Sequence, residues 1–151
     1  MSVLTSEVDI LRRVPLFSGI EAPKLKLLAF TSKLVRYEAS EVLFRQGDPG
    51  DSAFVILSGQ AVVIADTPGG EIEIARLGET DFVGEIGILC DMPRTATVRA
   101  VTNVKALRIG KDCLVELLEN FPSIGLSMLR GLALRLSRTT AELVEYRSHD
   151  A

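Results

Sequence analysis

The sequence predicts an α+β protein in which a small antiparallel barrel or jelly roll lies between helical ends. Between about Val35 and Ile109, short apolar runs of β-forming residues alternate with turns rich in Gly and Pro, the pattern of many short antiparallel strands. On either side the apolar spacing changes to the helical period, and from Pro122 to about Arg147 no proline interrupts it.

Each element follows from its own residues. Val8, Leu11 and Val14 are spaced for one face of a short helix, which Pro15 stops because proline disfavours helix in the residue before it. Pro23 suits the first turn of a second short helix, whose apolar content is Leu25, Leu27, Leu28 and Phe30. A strand at Glu41–Arg45 runs into the turn Gln46-Gly47-Asp48-Pro49-Gly50-Asp51. Ala53–Leu57 and Ala61–Ala65 flank Ser58-Gly59-Gln60, where a glycine between strands implies a bulge or tight corner. Thr67-Pro68-Gly69-Gly70 reads as a hairpin turn, and the strict alternation of Glu71-Ile72-Glu73-Ile74 predicts a half-exposed strand after it. Thr95–Val101 and Val104–Ile109 complete the strands.

After Gly110, Cys113, Leu114, Leu117 and Leu118 share a face of a helix that must end before Pro122. In the long helix beyond, Leu126, Leu129, Ala133, Leu136, Thr140 and Leu143 follow a 3-4-3-4-3 spacing, which is a heptad seam. Such a helix is roughly 38 Å long, more than one small barrel can cover, so part of the seam should find another surface: a homodimer through this helix is the first reading and a terminal helix packed on its own barrel the second. Arg130, Arg135 and Arg138 form an acid-free basic stretch on it and read as a solvated face.

Composition bounds the function. The chain has 151 residues, 47% hydrophobic and 25% charged, which suits one soluble domain with a sizeable core. Seventeen Lys and Arg against twenty Asp and Glu give a net charge of -3, so the chain offers no electrostatic footprint for direct nucleic-acid binding. No apolar run reaches the roughly 20 residues needed to span a bilayer, and Ser, Glu and Asp within Met1–Ile10 argue against a signal peptide; a cytoplasmic location and no membrane partner are expected. Cys90 and Cys113 form neither a disulfide framework nor a metal motif, and the single histidine, His149, reads as a frayed terminal residue. A histidine-rich metal site and a Ser-His or Cys-His nucleophile are thereby excluded, so no enzymatic activity and no metal are expected.

The stretch Phe82-Val83-Gly84-Glu85-Ile86-Gly87-Ile88-Leu89-Cys90-Asp91-Met92-Pro93-Arg94-Thr95-Ala96-Thr97-Val98 carries chemistry. Gly84 lets the backbone turn sharply beside a ligand, and N–H groups opening a short helical turn favour an anion. Arg94 brings a planar, permanent charge that bonds two phosphate oxygens at once, with the Thr95 hydroxyl beside it. Ionised Glu85 only accepts hydrogen bonds, so it suits a hydroxyl such as a ribose 2′-OH. A carboxylate and a guanidinium thus divide the labour on a sugar phosphate. Cys90, inside this stretch, reads as a buried apolar residue.

This segment resembles the phosphate-binding cassette of cyclic nucleotide-binding domains, as found in cyclic AMP receptor-type regulators and in regulatory subunits of cyclic AMP-dependent kinase. Phe82, Gly84, Glu85, Leu89, Pro93, Arg94, Ala96 and Val98 match it in order and spacing. The likeness extends to Leu16-Phe17, the Gly47-Asp48 turn, the Leu57-Ser58-Gly59 corner and the helix after Gly110, nearly the whole chain. It implies one domain: N-terminal helices over 1–34, an antiparallel β-roll (a double-stranded β-helix or jelly roll) over 35–110 with its cassette at 82–98, and C-terminal helices over 111–149. It implies that Glu85 holds the ribose 2′-hydroxyl and Arg94 the cyclic phosphate, with backbone contacts at Gly84, Ile86 and Ala96.

The resemblance also bears on the base. Threonine directly after the arginine is common in cyclic GMP-binding kinases, so Thr95 permits cyclic GMP. When Pro122 is matched to the proline opening the long helix of the receptor-type regulators, Thr139-Thr140 fall on a Thr-Ser pair that contacts adenine, one contact from each subunit of the dimer. Cyclic AMP is therefore the expected ligand, with cyclic GMP second. The expected role is a sensor relaying occupancy through the C-terminal helix to an effector or partner not legible in the sequence, either as the sensory fragment of a transcription regulator or as a free-standing module. A third possibility keeps the fold with another ligand, but the lack of a cysteine cluster and of an internal histidine argues against haem and iron–sulfur sensing.

Overall fold

The computed structural model describes residues 3–14, 17 and 20–149. Pro15 and Leu16, on which two of the expectations above rest, lie outside the described residues. Two compact units divide the chain, Met1–Val115 and Glu116–Ala151. Among the described residues no helix is long and apolar enough to cross a membrane.

The first unit opens with α1 (Val3–Arg13) and α2 (Ala22–Thr31). Val8, Leu11 and Val14 are buried, as the helical spacing predicts, and Phe17 is buried beyond the helix. In α2, Leu25, Leu28 and Ala29 are buried while Leu27 and Phe30 face solvent, because so short a helix presents one face to the core.

Eight described strands then form two four-stranded antiparallel sheets, in the orders β1-β8-β3-β6 and β2-β7-β4-β5. They are β1 (Lys33–Tyr37), β2 (Val42–Phe44), β3 (Ser52–Ser58), β4 (Ala61–Thr67), β5 (Gly70–Leu77), β6 (Phe82–Val83), β7 (Thr97–Ala100) and β8 (Val104–Gly110). Phe54, Ile56, Val104 and Ala106 of the first sheet meet Ala61, Val98 and Ala100 of the second in one buried cluster. This is the β-roll between helices that the pattern of short strands and turns predicts. β3 is buried on both faces because α1 and α3 (Glu85–Leu89) contact it from outside the roll, which explains its unbroken apolar run. The register shift between Ile56 and Ser58, followed by Gly59 at φ +90, is the expected corner.

One strand departs from expectation. β5 is present, but it is exposed on both faces from Gly70 to Arg76, with Ile72 54% and Ile74 58% exposed. It is the edge of its sheet, bonded to β4 alone, with a register shift between Val63 and Ile64. Alternation reports the two faces of a strand; whether a second layer covers one of them is a tertiary matter.

In the second unit, α4 (Lys111–Asn120) ends and α5 (Pro122–His149) begins. The Phe121 N–H donates to the Leu117 carbonyl and the Ile124 N–H to that of Phe121, carrying the chain across the proline. Ile124 and Met128 are buried, whereas Leu126, Leu129, Leu136 and Leu143 are 49 to 68% exposed, so the expected seam is uncovered within this chain. Ala133 and Thr140 on the same seam are exposed as well. The side chain of His149, the last residue of α5, lies outside the description.

Candidate functional site

The cassette crosses from one sheet to the other. It leaves through β6, paired to β3 at Phe54↔Val83, and rejoins at β7, paired to β4 at Val63↔Val98. Between them Gly84 turns the chain at φ +95, and a Cβ there would lie 2.8 Å from Arg94 Nη1 and 3.1 Å from the Ser52 carbonyl oxygen. Both backbone angle and space therefore require glycine. α3 follows, held against the turn after β2 by a contact of two backbones: a Cβ on Gly50 would lie 2.5 Å from Gly87 Cα, and one on Gly87 2.8 Å from Gly50 Cα.

That turn also fixes the backbone of Arg94, whose N–H donates to the Asp48 carbonyl at 2.8 Å and whose carbonyl accepts from the Gly47 N–H at 2.9 Å. Arg94 is only 5% exposed. Nη1 donates to the Gly84 carbonyl at 3.0 Å, Nη2 donates to Ser52 Oγ at 3.2 Å, and the guanidinium lies 4.1 Å from the centroid of the Phe44 ring. Nε is buried with no hydrogen-bond partner. Burial pushes the pKa of Arg94 below its ordinary value, opposed mainly by the negative charge of Asp51; an arginine stays cationic nonetheless. A fixed, desolvated cation with one nitrogen left without an acceptor is an arrangement suited to an anion.

Glu85, the first residue of α3, is 6% exposed, so the two charged residues that the sequence singled out are both buried at this cassette rather than solvated. Ala96 is buried and Thr95 is exposed; Ile86 continues α3, its side chain outside the description. Cys90 corrects an expectation: it is exposed, because it follows the end of α3 at Leu89 on the solvent side, before Asp91 turns the chain at φ +50. Thr139 and Thr140 belong to the second unit, exposed on α5, where Thr139 Oγ1 donates to the Arg135 carbonyl at 3.0 Å.

Sequence reasoning missed Phe44, Asp51, Ser52 and Arg108. The turn carrying Asp51 was visible, but strand pairing, not spacing, brings Ser52 to Arg94 across 42 positions and to Arg108 across 56. An opening of about 400 Å³ lies among Glu71, Glu73, Arg76 and Arg99 over Val62 and Ile64, and one of about 310 Å³ lies beside Gly50 and Gly87; neither is lined by Arg94 or Glu85.

A family model of the cyclic nucleotide-binding domain matches residues 34–121. Over 138 residues the chain is 31% identical to a CRP-like cAMP-activated global transcriptional regulator of Mycobacterium tuberculosis, covering 91% of this chain and 62% of that protein. The chain therefore spans less than two thirds of that relative. Among solved structures it is similar to the N-terminal domain of a transcriptional regulator from Streptomyces coelicolor A3(2), with 35% identity, a TM-score of 0.69 and coverage of 87% of this chain and 94% of the other. The sensor domain of the transcriptional regulator DNR from Pseudomonas aeruginosa gives 25% identity, a TM-score of 0.81 and coverage of 94% and 96%.

Proposed function

Because this chain belongs to the cyclic nucleotide-binding domain family, we propose that it is a receiver of cyclic AMP, with cyclic GMP second, and that it performs no chemistry on the nucleotide. The observation that carries this reading is the buried Arg94 guanidinium, with Nε unpartnered, inside the cassette. In this reading Arg94 takes the cyclic phosphate, Glu85 accepts from the ribose 2′-hydroxyl, and the backbone at Gly84, Ile86 and Ala96 completes the grip. The Thr95 hydroxyl stands next to the phosphate. The relative described as cAMP-activated supports cyclic AMP as the ligand. Thr139 and Thr140 are assigned to the base, from the same chain or from a second copy joined through α5.

Binding orders the cassette, and α5 carries the change to an effector; the ligand moves that equilibrium only through its differential affinity for the two arrangements. A regulator of transcription is the effector class that the relatives favour, with DNA contacted by a segment other than this one. The reading also keeps the protein in the cytoplasm.

Thermal-shift and calorimetric titrations with cyclic AMP and cyclic GMP side by side test it, since a ligand bound only by the folded state raises stability with the logarithm of its concentration. Cyclic AMP should give the larger shift, and Glu85→Ala should weaken it by about tenfold through loss of a charge-assisted bond. No shift with either nucleotide sinks the assignment.

A further inference from the structure

Arg108 lies on β8, outside the cassette, yet it shares both polar neighbours of Arg94. Ser52 is 1% exposed, and its hydroxyl accepts from Arg94 Nη2 at 3.2 Å and from Arg108 Nε at 3.1 Å while donating to Asp51 Oδ1 at 3.1 Å. Both lone pairs and the proton of that hydroxyl are thereby used. Asp51 is shared unequally: its Oδ2 lies 3.5 Å from Arg108 Nη2, at the limit of a hydrogen bond, whereas its Oδ1 lies 3.8 Å from Arg94 Nη2, an ion pair without a hydrogen bond.

The unequal sharing matters because of where the two cations stand. The side chain of Arg94 is 3% exposed and that of Arg108 40% exposed, so a carboxylate free to choose is drawn more strongly to Arg94, where water screens less. A guanidinium and a carboxylate also fit as a two-bond fork. Asp51 is thus an anion built into the chain, beside the cation that the ligand needs. Among the described residues, Arg108 and Ser52 hold its carboxylate back, and the Lys111 N–H holds its backbone carbonyl at 3.0 Å.

We propose that Arg108 is a positioning residue for the anion site: by holding Asp51 and Ser52 it keeps Asp51 from tightening its loose ion pair with Arg94 into a hydrogen-bonded fork, and so leaves Arg94 Nε without a protein acceptor and available to a ligand phosphate. The inference rests on reading Arg94 as the phosphate-binding group and goes beyond it by naming the competitor and the residue that restrains it.

Loss of a positive charge near an anion weakens binding by itself, so a single variant does not discriminate; a double-mutant cycle does. Calorimetry of the full chain with cyclic AMP should find Arg108→Leu weaker by about tenfold. Asp51→Asn should recover most of that loss when added to Arg108→Leu, yet tighten binding by less than about threefold in the parent. Additive effects, the signature of two charges acting independently, overturn the proposal. A second arm needs no ligand. The Arg94 Nε–H resonance of the free protein should move on Arg108→Leu when Asp51 is retained, and stay in place when Asp51→Asn is also present. An unmoved signal in both overturns the proposal even if the parent binds neither cyclic nucleotide, a result that would separately refute the ligand assignment. Should Arg108→Leu fail to fold, Arg108→Gln gives the same pattern at smaller amplitude.

Discussion

Around Arg94 a charge is buried where apolar groups usually lie, whereas along α5 Leu126, Leu129, Leu136 and Leu143 stand in water where charges usually lie. The two departures are resolved to different degrees. At Arg94 the desolvation is offset by dedicated partners: the Gly84 carbonyl, the Ser52 hydroxyl and the Phe44 ring, with Nε left without an acceptor. Along α5 the four leucines stand 49 to 68% exposed among the described residues. A nearly satisfied polar pocket calls for something small and anionic; an uncovered apolar seam calls for a surface.

The contrast can be broken most decisively at the pocket. Arg94→Leu should reduce cyclic AMP affinity by about one to two decades, from loss of a charge-assisted contact. Leucine also leaves the Gly84 carbonyl and the Ser52 hydroxyl without their guanidinium donor, so the same variant should lose about 1–3 kcal/mol in denaturant unfolding. A large drop in melting temperature with retained affinity would make Arg94 a structural residue instead. Next comes Gly84→Ala, which meets both a positive φ and a Cβ 2.8 Å from Arg94 Nη1. It should cost about 1–3 kcal/mol in denaturant unfolding, and titration should show weakened ligand binding through displacement of the guanidinium.

The seam is sharpened by sedimentation equilibrium. The parent should show concentration-dependent association, and Leu129→Lys combined with Leu136→Lys should abolish it without lowering the melting temperature of the roll. A parent that stays monomeric at all concentrations removes the dimer. The smallest effect is expected at Thr139→Val, where losing one hydroxyl should narrow the cyclic AMP to cyclic GMP preference by about threefold to tenfold.

Legibility in the sequence followed the range of the interactions. Gly84, Glu85 and Arg94 were readable because the cassette is contiguous, and a glycine, a carboxylate and a guanidinium each have local chemistry. The helix boundaries at Pro122 and after Gly110 were readable for the same reason. Ser52, Phe44 and Arg108 were not, because antiparallel pairing of β3 with β8, and the facing of β2 across the roll, bring them to Arg94 from remote positions. The exposure of Ile72, Ile74 and Cys90 was missed for a related reason: periodicity and residue type say which way a side chain points, and only the folded neighbours decide whether anything is there to meet it.

Gly50 and Gly87 touch through main chain alone, leaving no rotamer between them to absorb a displacement. The loop that grips Arg94 and the small helix beginning at Glu85 are therefore in direct backbone contact, so a displacement of one presses on the other. A fluorophore or spin label attached to the loop, well clear of the nucleotide, would register the helix's motion, so the protein carries a natural mounting point for an optical reporter.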